Sequence, residues 1–235
     1  MAFPFFYKED IEASMVHVVL DEDTSKHMVQ VLRMQNGEQL QLTNGKGDLF
    51  TAEITDNNRK KCVVKIIKTS SEQRATGSVS IAISLIKNSS RFEWFLEKAT
   101  EIGVSEIIPL ICERTEKTSF KFDRMQSILV SAMLQSQQHR LPVLQAPVKF
   151  KDFVSQSAHQ QKFIAHCTND AKRDLVDLVN SNLSSKIILI GPEGDFTAPE
   201  IDQALQNHFN AVTLGKTRLR TETAGLVAAT LLTIS

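Results

Sequence analysis

The sequence predicts an α/β protein, in which a domain with a mainly parallel sheet follows a small β domain. Three observations support this fold class. Short β-type runs separated by turn residues fill the first 70 residues. From residue 79 onward, apolar runs of strand length alternate with segments of helical periodicity. The run Ile187–Ile190 is wholly aliphatic, which is typical of a central parallel strand covered on both faces.

The N-terminal region is predicted to be a small antiparallel β unit. Turn sequences such as Asn36-Gly37 separate its strands, and we expect the Gly45–Gly47 triplet to form a hairpin turn. Residues 70–78 contain no apolar residue except alanine, so we interpret them as a linker between domains 1–70 and 71–235. The predicted strands of this unit cover residues 16–20, 38–43, 48–54 and 62–69.

The C-terminal region alternates strands and helices. Apolar residues recur at spacings of three and four from residue 90 to 102, where Ser90 and Glu93 form a predicted capping box and Gly103 a stop. The last helix is apolar nearly all round, as expected of a buried helix, and Thr221 is its predicted N-cap. The predicted strands cover residues 79–86, 106–112, 162–166, 186–190 and 211–214, and the predicted helices cover 90–102, 123–138, 170–180, 197–208 and 221 to the end.

Composition narrows the classes of function. The 27 basic residues balance the 27 acidic ones, so a nucleic acid would have to meet a local basic face. The three cysteines lie far apart and fit neither a disulfide framework nor a metal site. The sequence shows no basic leader with a cleavage site and no apolar run of membrane-spanning length, so we expect a cytoplasmic protein.

The residues after Ile187–Ile190 indicate a ligand site. Gly191–Gly194 reads GPEG, a tight turn that leaves backbone N–H and C=O groups available, although by itself a simple β-to-α turn is the better interpretation. Two further strands end on His166-Cys167 and on Gly215. Because ligands bind beyond the carboxyl ends of parallel strands, we expect one shared concave site. No dinucleotide-binding glycine motif or P-loop occurs.

Several motifs together resemble one family, the bacterial ribosomal RNA uridine N3-methyltransferases of the knotted SPOUT superfamily. The N-terminal unit, with His27 and Val31–Arg33 before Asn36-Gly37, is similar to the family's PUA-like β-barrel, so the resemblance covers essentially the whole chain. The other motifs, in order, are Lys87 followed by RFEWFLEKATEIGV, then IIPLICERTEK, residues 132–142 with Gln135-Ser136, LIGPEGDF and LGKTRLRTETA.

The resemblance implies a C-terminal trefoil knot that holds S-adenosylmethionine. It implies methyl transfer to N3 of a uridine in 16S ribosomal RNA, as free RNA or in the assembled small subunit, by a homodimer. The implied cofactor-binding positions are His166, Ile190, Gly191, Pro192, Glu193, Gly194, Leu214, Gly215, Leu219, Arg220, Thr221, Thr223 and Ala224.

The resemblance also supplies candidates for chemistry and RNA binding. Arg220 and Arg114 are the catalytic candidates, because a guanidinium can hold the negative charge that develops on the uridine or on phosphate. Arg114 is a candidate for a residue lent to the partner subunit. Arg33 and Lys87 are RNA-binding candidates, and a solvated surface role is the alternative for each.

Two carboxylates, Glu222 and Glu193, lie nearest the implied site and are candidate bases, although a structural role is favoured for both. The chain departs from the family pattern at Leu134, Gln138 and Asp195, where an acid, a base and a glycine are usual. Three alternatives stay open: methylation at another RNA position or on ribose oxygen, a non-catalytic RNA-binding protein of this fold, and a small-molecule enzyme.

Overall fold

The computed structural model describes residues 3–72, 77–168, 172–181 and 183–234. Within these ranges the chain divides into two compact units. The first contains the described residues before 73 together with residues 133–141, and the second contains the others. Residues 133–141 therefore belong to the N-terminal unit although they are distant from it in sequence.

The first unit is built on a five-stranded sheet. Its elements are β1 (Phe5–Tyr7), β2 (His17–Val19), α1 (Glu22–Lys26), a π-helical turn (His27–Val31), β3 (Gln39–Thr43), β4 (Asp48–Asp56) and β5 (Val63–Ser71). The strand order is β1-β3-β4-β5-β2, and the pairs are antiparallel as predicted, except that β1 pairs with β3 in parallel. The sequence did not predict β1 or the helical turns after β2.

The hairpin between β3 and β4 is the Gly45–Gly47 turn that the sequence predicts. Gly45 and Gly47 have φ angles of 72° and 106°, a left-handed region that glycine adopts freely. The turn also binds residues 139–141 of the same unit. The Leu141 N–H donates to the Gly45 carbonyl at 2.8 Å, and the Gly47 N–H donates to the His139 carbonyl at 2.9 Å.

Arg140 completes this contact within the first unit. Its Nη1 donates to the Lys46 carbonyl at 2.6 Å, and its Nη2 donates to the Glu72 carbonyl at 2.5 Å. The guanidinium fits because Gly47 has no side chain: a Cβ there would lie 2.4 Å from Arg140 Cζ. A glycine is therefore required at position 47 for two reasons: the positive φ angle of the backbone and the space that the Arg140 guanidinium occupies.

The second unit contains an eight-stranded sheet in which every described pair is parallel. The strands are β6 (Ser78–Ser84), β7 (Glu106–Ile111), β8 (Val143–Leu144), β9 (Val148–Lys149), β10 (Gln161–Ala165), β11 (Arg173–Asp174), β12 (Ser185–Ile190) and β13 (Asn210–Thr213). The strand order is β11-β13-β10-β12-β6-β7-β8, and β9 also pairs with β7. The helices are α2 (Ser89–Ile102), α3 (Phe122–Gln135), α4 (Phe150–Gln156), α5 (Leu175–Leu178), α6 (Ala198–Gln206) and α7 (Thr221–Ile234). The last three residues of α3 belong to the first unit.

The predicted fold class, a mainly parallel α/β domain with a small β unit, is confirmed. After β12 the chain runs out past β10 to form β13, and α7 then returns to pack against α2, β6 and β12. This return is the path expected for the knotted fold class. Among the described residues, no helix has the length and apolar character needed to cross a membrane.

Helix α7 approaches its neighbours unusually closely at Gly225. A Cβ at this position would lie 2.7 Å from Phe95 Cε2 and 2.8 Å from Ile83 Cδ1. Phe92 and Phe95 are buried core residues, as their spacing predicts, whereas Trp94 is 41% exposed. The close contact depends on glycine, because any side chain would push α7 away from α2 and β6.

The capping of two helices differs from the prediction. The Asn88 side chain, rather than Ser90, caps α2 by accepting from the Ser90 N–H, and Glu93 pairs with Arg124 instead of closing a capping box. Gly103 ends α2 with a left-handed φ of 91°, as predicted. Thr221 is the first residue of α7 and not its cap, because the Ala224 N–H bonds to the carbonyl of residue 220.

The predicted helix over residues 170–180 is wrong in its described part. A two-residue strand and the four-residue α5 replace it, and residues 170 and 171 lie outside the described residues. Gln161 stops α5 from extending, because its side chain bonds to both the carbonyl and the N–H of Asn180. The predicted linker is shorter than expected, since β5 extends to Ser71 and β6 begins at Ser78, and residues 73–76 lie outside the description.

We predict that Gly47→Ala destabilises the protein more than Gly37→Ala does. Both positions have positive φ, but a Cβ at Gly37 would meet no atom within 4 Å, so that variant measures backbone strain alone, about 1–2 kcal/mol. Gly47→Ala should cost about 1–3 kcal/mol more in urea unfolding, because it displaces Arg140 from two carbonyls. The excess should vanish in an Arg140→Ala background. An excess that persists there would mean that Arg140 is not the cause.

Candidate functional site

The loops that follow β10, β12 and β13 line two adjoining cavities at the carboxyl edge of the sheet. Their volumes are about 330 and 340 Å³. Five residues line both cavities: Ala165, Cys167, Arg218, Leu219 and Ala224. The first cavity is also lined by Arg91, Ile190, Gly191, Pro192, Glu193, Asp195, Arg220, Thr221 and Glu222. The second is also lined by His166, Lys172, Val212, Thr213, Leu214, Gly215, Lys216 and Thr217.

Most of the cofactor positions implied by the sequence lie together at these cavities. Those at the first cavity are Ile190, Gly191, Pro192, Glu193, Leu219, Arg220, Thr221 and Ala224, and those at the second include His166, Leu214 and Gly215. Gly194 and Thr223 do not occur among the described lining residues. Neither do Arg114, Lys87 and Arg33.

The GPEG loop is held from two sides. Gly191 lies against Phe196, where a Cβ would approach the ring carbon Cδ2 to 3.2 Å. The Glu193 carboxylate accepts a hydrogen bond from the Lys87 N–H at 3.1 Å. The Lys87 ammonium itself pairs with Glu116 at 2.6 Å. The loop therefore depends on the segment after β6 for its position.

Arg114 lies over the end of the same loop. Its Nη1 donates to the Gly194 carbonyl at 2.6 Å, and its Cδ would lie 3.2 Å from a Cβ at that glycine. Glu200, which is buried, accepts from the Glu113 N–H and from the Thr197 N–H, each at 2.9 Å. These bonds fix the segment that carries Arg114 against the first turn of α6.

The first turn of α7 closes the first cavity. Thr221 and Glu222 are buried, and Glu222 Oε1 lies 3.7 Å from Arg91 Nε on α2. Arg220 precedes them and is exposed. Sequence reasoning missed Arg91, because a single arginine in the first turn of an amphipathic helix reads as part of a solvated face.

The loop after β10 forms part of the wall of the second cavity. His166 is buried and its Nδ1 lies 2.7 Å from Thr168 Oγ1. Lys172 Nζ donates to the carbonyls of His166 and Thr168, both at 2.6 Å, and so fixes this loop. Gly215 lines the cavity, and a Cβ there would meet no atom within 4 Å. The role of Lys172 at this cavity was not predicted, because the residue lies in a segment that the sequence suggested was a helix.

The arrangement suits binding and alignment rather than nucleophilic attack by the protein. Loop backbone and small apolar side chains can hold a flat ring, while Arg91, Arg218 and Arg220 bring positive charge to the first cavity. His166 and Cys167 do not form a nucleophilic pair, since His166 is buried and Cys167 is exposed.

The sequence matches two family models. One is described as an RNA methyltransferase domain and matches residues 72–233, and the other is described as an RNA methyltransferase PUA domain and matches residues 20–67. A relative from Synechocystis sp., named ribosomal RNA small subunit methyltransferase E, is 34% identical over 208 residues. The match covers 86% of this chain and 68% of the relative.

Solved structures with the same fold cover nearly all of the chain. A probable rRNA-methyltransferase from Porphyromonas gingivalis is 37% identical with a TM-score of 0.89, covering 96% of this chain and 95% of that one. A ribosomal RNA small subunit methyltransferase E from Neisseria gonorrhoeae, bound to S-adenosyl methionine, is 27% identical with a TM-score of 0.85. That match covers 97% of this chain and 95% of the other.

The three cysteines differ in their environment. Burial, with a contribution from Asp56, raises the pKa of the Cys62 thiol to about 11. Burial, with the nearby charge of Glu200, raises the pKa of the Cys112 thiol to about 12. Cys167 is exposed at the cavities. Because the thiolate is the nucleophile, the two buried cysteines should be unreactive at neutral pH.

We expect alkylation of the native chain at about pH 8 to modify Cys167 alone. The raised pKa of Cys62 and of Cys112 keeps both thiols protonated there, and thiolate appears only as the pH rises through each folded-state pKa. Mass spectrometry after brief iodoacetamide treatment measures this. Denatured protein should show all three sites modified. Equal labelling of Cys62 or Cys112 in the native chain would contradict the expectation.

Proposed function

The chain belongs to the RNA methyltransferase family, and we propose that it transfers a methyl group from S-adenosylmethionine to N3 of a uridine in 16S ribosomal RNA of the small subunit. The observation that carries the proposal is the meeting of GPEG and LRTETA at one pair of cavities. These motifs lie about two dozen residues apart in sequence, at the edge where a parallel sheet binds ligands.

The residues that line the cavities support S-adenosylmethionine as the ligand. A Cβ at Gly215 would meet no atom within 4 Å, so this glycine leaves open space in the second cavity, and Gly191 lines the first. The backbone groups near Leu214 and Leu219 are proposed to bind the adenine. A flat ring needs apolar walls on its faces and polar groups at its edge. Of the other implied positions, all but Gly194 and Thr223 line the same two cavities. The relative from Neisseria gonorrhoeae is bound to this cofactor.

The bound cofactor supplies an electrophilic methyl group. The chain must align the uracil, exclude water, and deal with the proton that leaves N3 as the new N–C bond forms. Arg220 is proposed to stabilise the negative charge that develops on the uracil imide, since it is exposed at the first cavity. Arg114 is proposed to act mainly by positioning, because its guanidinium holds the Gly194 carbonyl of its own chain.

The carboxylates of both candidate bases interact with other groups of the chain. Glu193 accepts from the Lys87 N–H, and Glu222 faces Arg91. These contacts support structural roles for both carboxylates.

RNA contacts are proposed for Arg33 in the first unit and Lys87 in the second. Arg33 is exposed shortly after the π-helical turn and has a left-handed φ of 57°. Lys87 is 69% exposed in its side chain. Point substitution tests these contacts better than deletion of the N-terminal region, because residues 133–141 pack within that unit.

A homodimer is proposed because α7 keeps an incompletely covered apolar face. Leu226, Val227 and Leu231 are only half-buried, and Ile234 is 75% exposed. The sequence predicted a helix buried on every side, and a partner subunit would cover the face that the chain itself leaves half-buried. An isologous contact would bury the same surface on both subunits.

The test of the proposed activity uses S-adenosylmethionine with a labelled methyl group. The protein is incubated with 16S RNA and, separately, with small subunits that lack the modification. Digestion and mass spectrometry should then find labelled N3-methyluridine. Label in another nucleoside would show a different position, and RNA binding without label in either substrate would favour the non-catalytic alternative.

We predict that Arg220→Ala lowers turnover by about 10²-fold or more while the cofactor dissociation constant changes less than about threefold. The reason is that the charge on uracil develops only in the transition state. Arg173→Ala is the matched control, because Arg173 is exposed and does not occur among the described lining residues. Equal losses of turnover and cofactor affinity would make Arg220 a cofactor contact instead.

Light scattering at micromolar concentration should show a particle of about twice 26.3 kDa. Leu231→Glu should shift this particle towards the monomer, because a charge on the half-buried face of α7 opposes its burial. Ser131→Glu, on the exposed surface of α3, is the control and should leave the mass unchanged. A monomeric wild-type protein with full turnover would refute the dimer.

A further inference from the structure

Asp195 links the loop after β12 to the loop after β10. Its Oδ2 accepts a hydrogen bond from the Cys167 N–H at 2.8 Å. Its Oδ1 accepts from the Phe196 N–H at 2.9 Å. Asp195 and Cys167 both line the first cavity, so the bond between them spans the cavity wall.

The backbone of Asp195 is held in a conformation that disfavours most side chains. Its φ is 64°, and its N–H donates to the Pro192 carbonyl at 2.9 Å, which closes the turn. Glycine would adopt this φ with less strain. An aspartate at this position therefore has a backbone cost, and its two carboxylate bonds are what the structure gains from it.

We propose that Asp195 is a positioning residue that latches the two loops together and so preforms the cofactor cavity. Cavity walls held in place before binding raise affinity, because less ordering remains to occur when the ligand enters. This inference rests on the proposed function only for the identity of the ligand. The latch between Asp195 and Cys167 stands on the contacts of the chain itself.

The chemistry of the latch predicts a definite order among variants. The carboxylate offers an acceptor oxygen to each of two N–H donors. Asparagine keeps the left-handed backbone but has one acceptor oxygen, and its amide N–H₂ would face the other donor. Glycine suits the backbone and provides no acceptor. Loop order and cofactor affinity should therefore fall from Asp to Asn to Gly, whereas backbone strain is relieved most by Gly.

The experiment compares the full-length wild type with Asp195→Asn, Asp195→Gly and the control Asp202→Asn, an exposed residue of α6. Hydrogen–deuterium exchange, read by mass spectrometry on peptides covering residues 163–168, reports the Cys167 amide without any ligand. Calorimetric titration with S-adenosylmethionine reports affinity. Thermal unfolding shows whether each variant is folded.

In Asp195→Gly we expect the Cys167 amide to exchange at least about tenfold faster and the cofactor dissociation constant to rise at least about tenfold, with the melting temperature retained. Asp195→Asn should be intermediate, and Asp202→Asn should match the wild type. Unchanged exchange and affinity in a folded Asp195→Gly variant would overturn the latch, and faster exchange with unchanged affinity would overturn its role in binding. If the wild type fails to bind S-adenosylmethionine, the proposed function fails, and the exchange of the Cys167 amide still decides the latch.

Discussion

The close packing of α7 against α2 and β6 at Gly225 is the constraint on which the site depends. The absence of a side chain lets α7 lie where a Cβ would overlap Phe95 and Ile83. This position of α7 brings Thr221 and Glu222 to the carboxyl edge of the sheet, beside the loops after β10 and β12. An added methyl group at Gly225 would displace α7 outward, because packed interiors do not absorb extra volume without movement. That displacement would open the first cavity.

Side chains that bond to backbone then fix the loops around that helix. Lys172 donates to two carbonyls of the loop after β10, and Glu200 accepts from two N–H groups beside the GPEG loop. Arg114 donates to the Gly194 carbonyl. In each case a charged side chain satisfies main-chain groups that a tight loop leaves unpaired. The cavities are therefore shaped largely by residues that need not touch a ligand, which is the support that precise alignment of cofactor and base requires.

The fold class and the sheet edge that carries the cavities could be predicted, because both rest on local patterns, whereas the individual cofactor positions were implied by the family resemblance. Strand and helix periodicity gave the parallel sheet, and the glycine-rich strand ends gave the cavity edge. The parts that could not be predicted depend on contacts distant in sequence. Residues 133–141 read as part of the C-terminal domain, yet main-chain bonds to the Gly45–Gly47 turn place them in the first unit. Asn88 rather than Ser90 caps α2. Arg91 lies at the cavity, where Glu222 of α7 faces it.

If the close packing of α7 at Gly225 shapes the site for S-adenosylmethionine, a side chain at this position should weaken binding of the cofactor. Calorimetric titration of S-adenosylmethionine into the wild type and into Gly225→Ala measures this effect. We expect one site per chain in the wild type, and at least about a tenfold weaker affinity in a variant that stays folded, since overpacking of this size costs about 1–3 kcal/mol. Equal affinity in the wild type and in folded Gly225→Ala would show that the site does not depend on this packing.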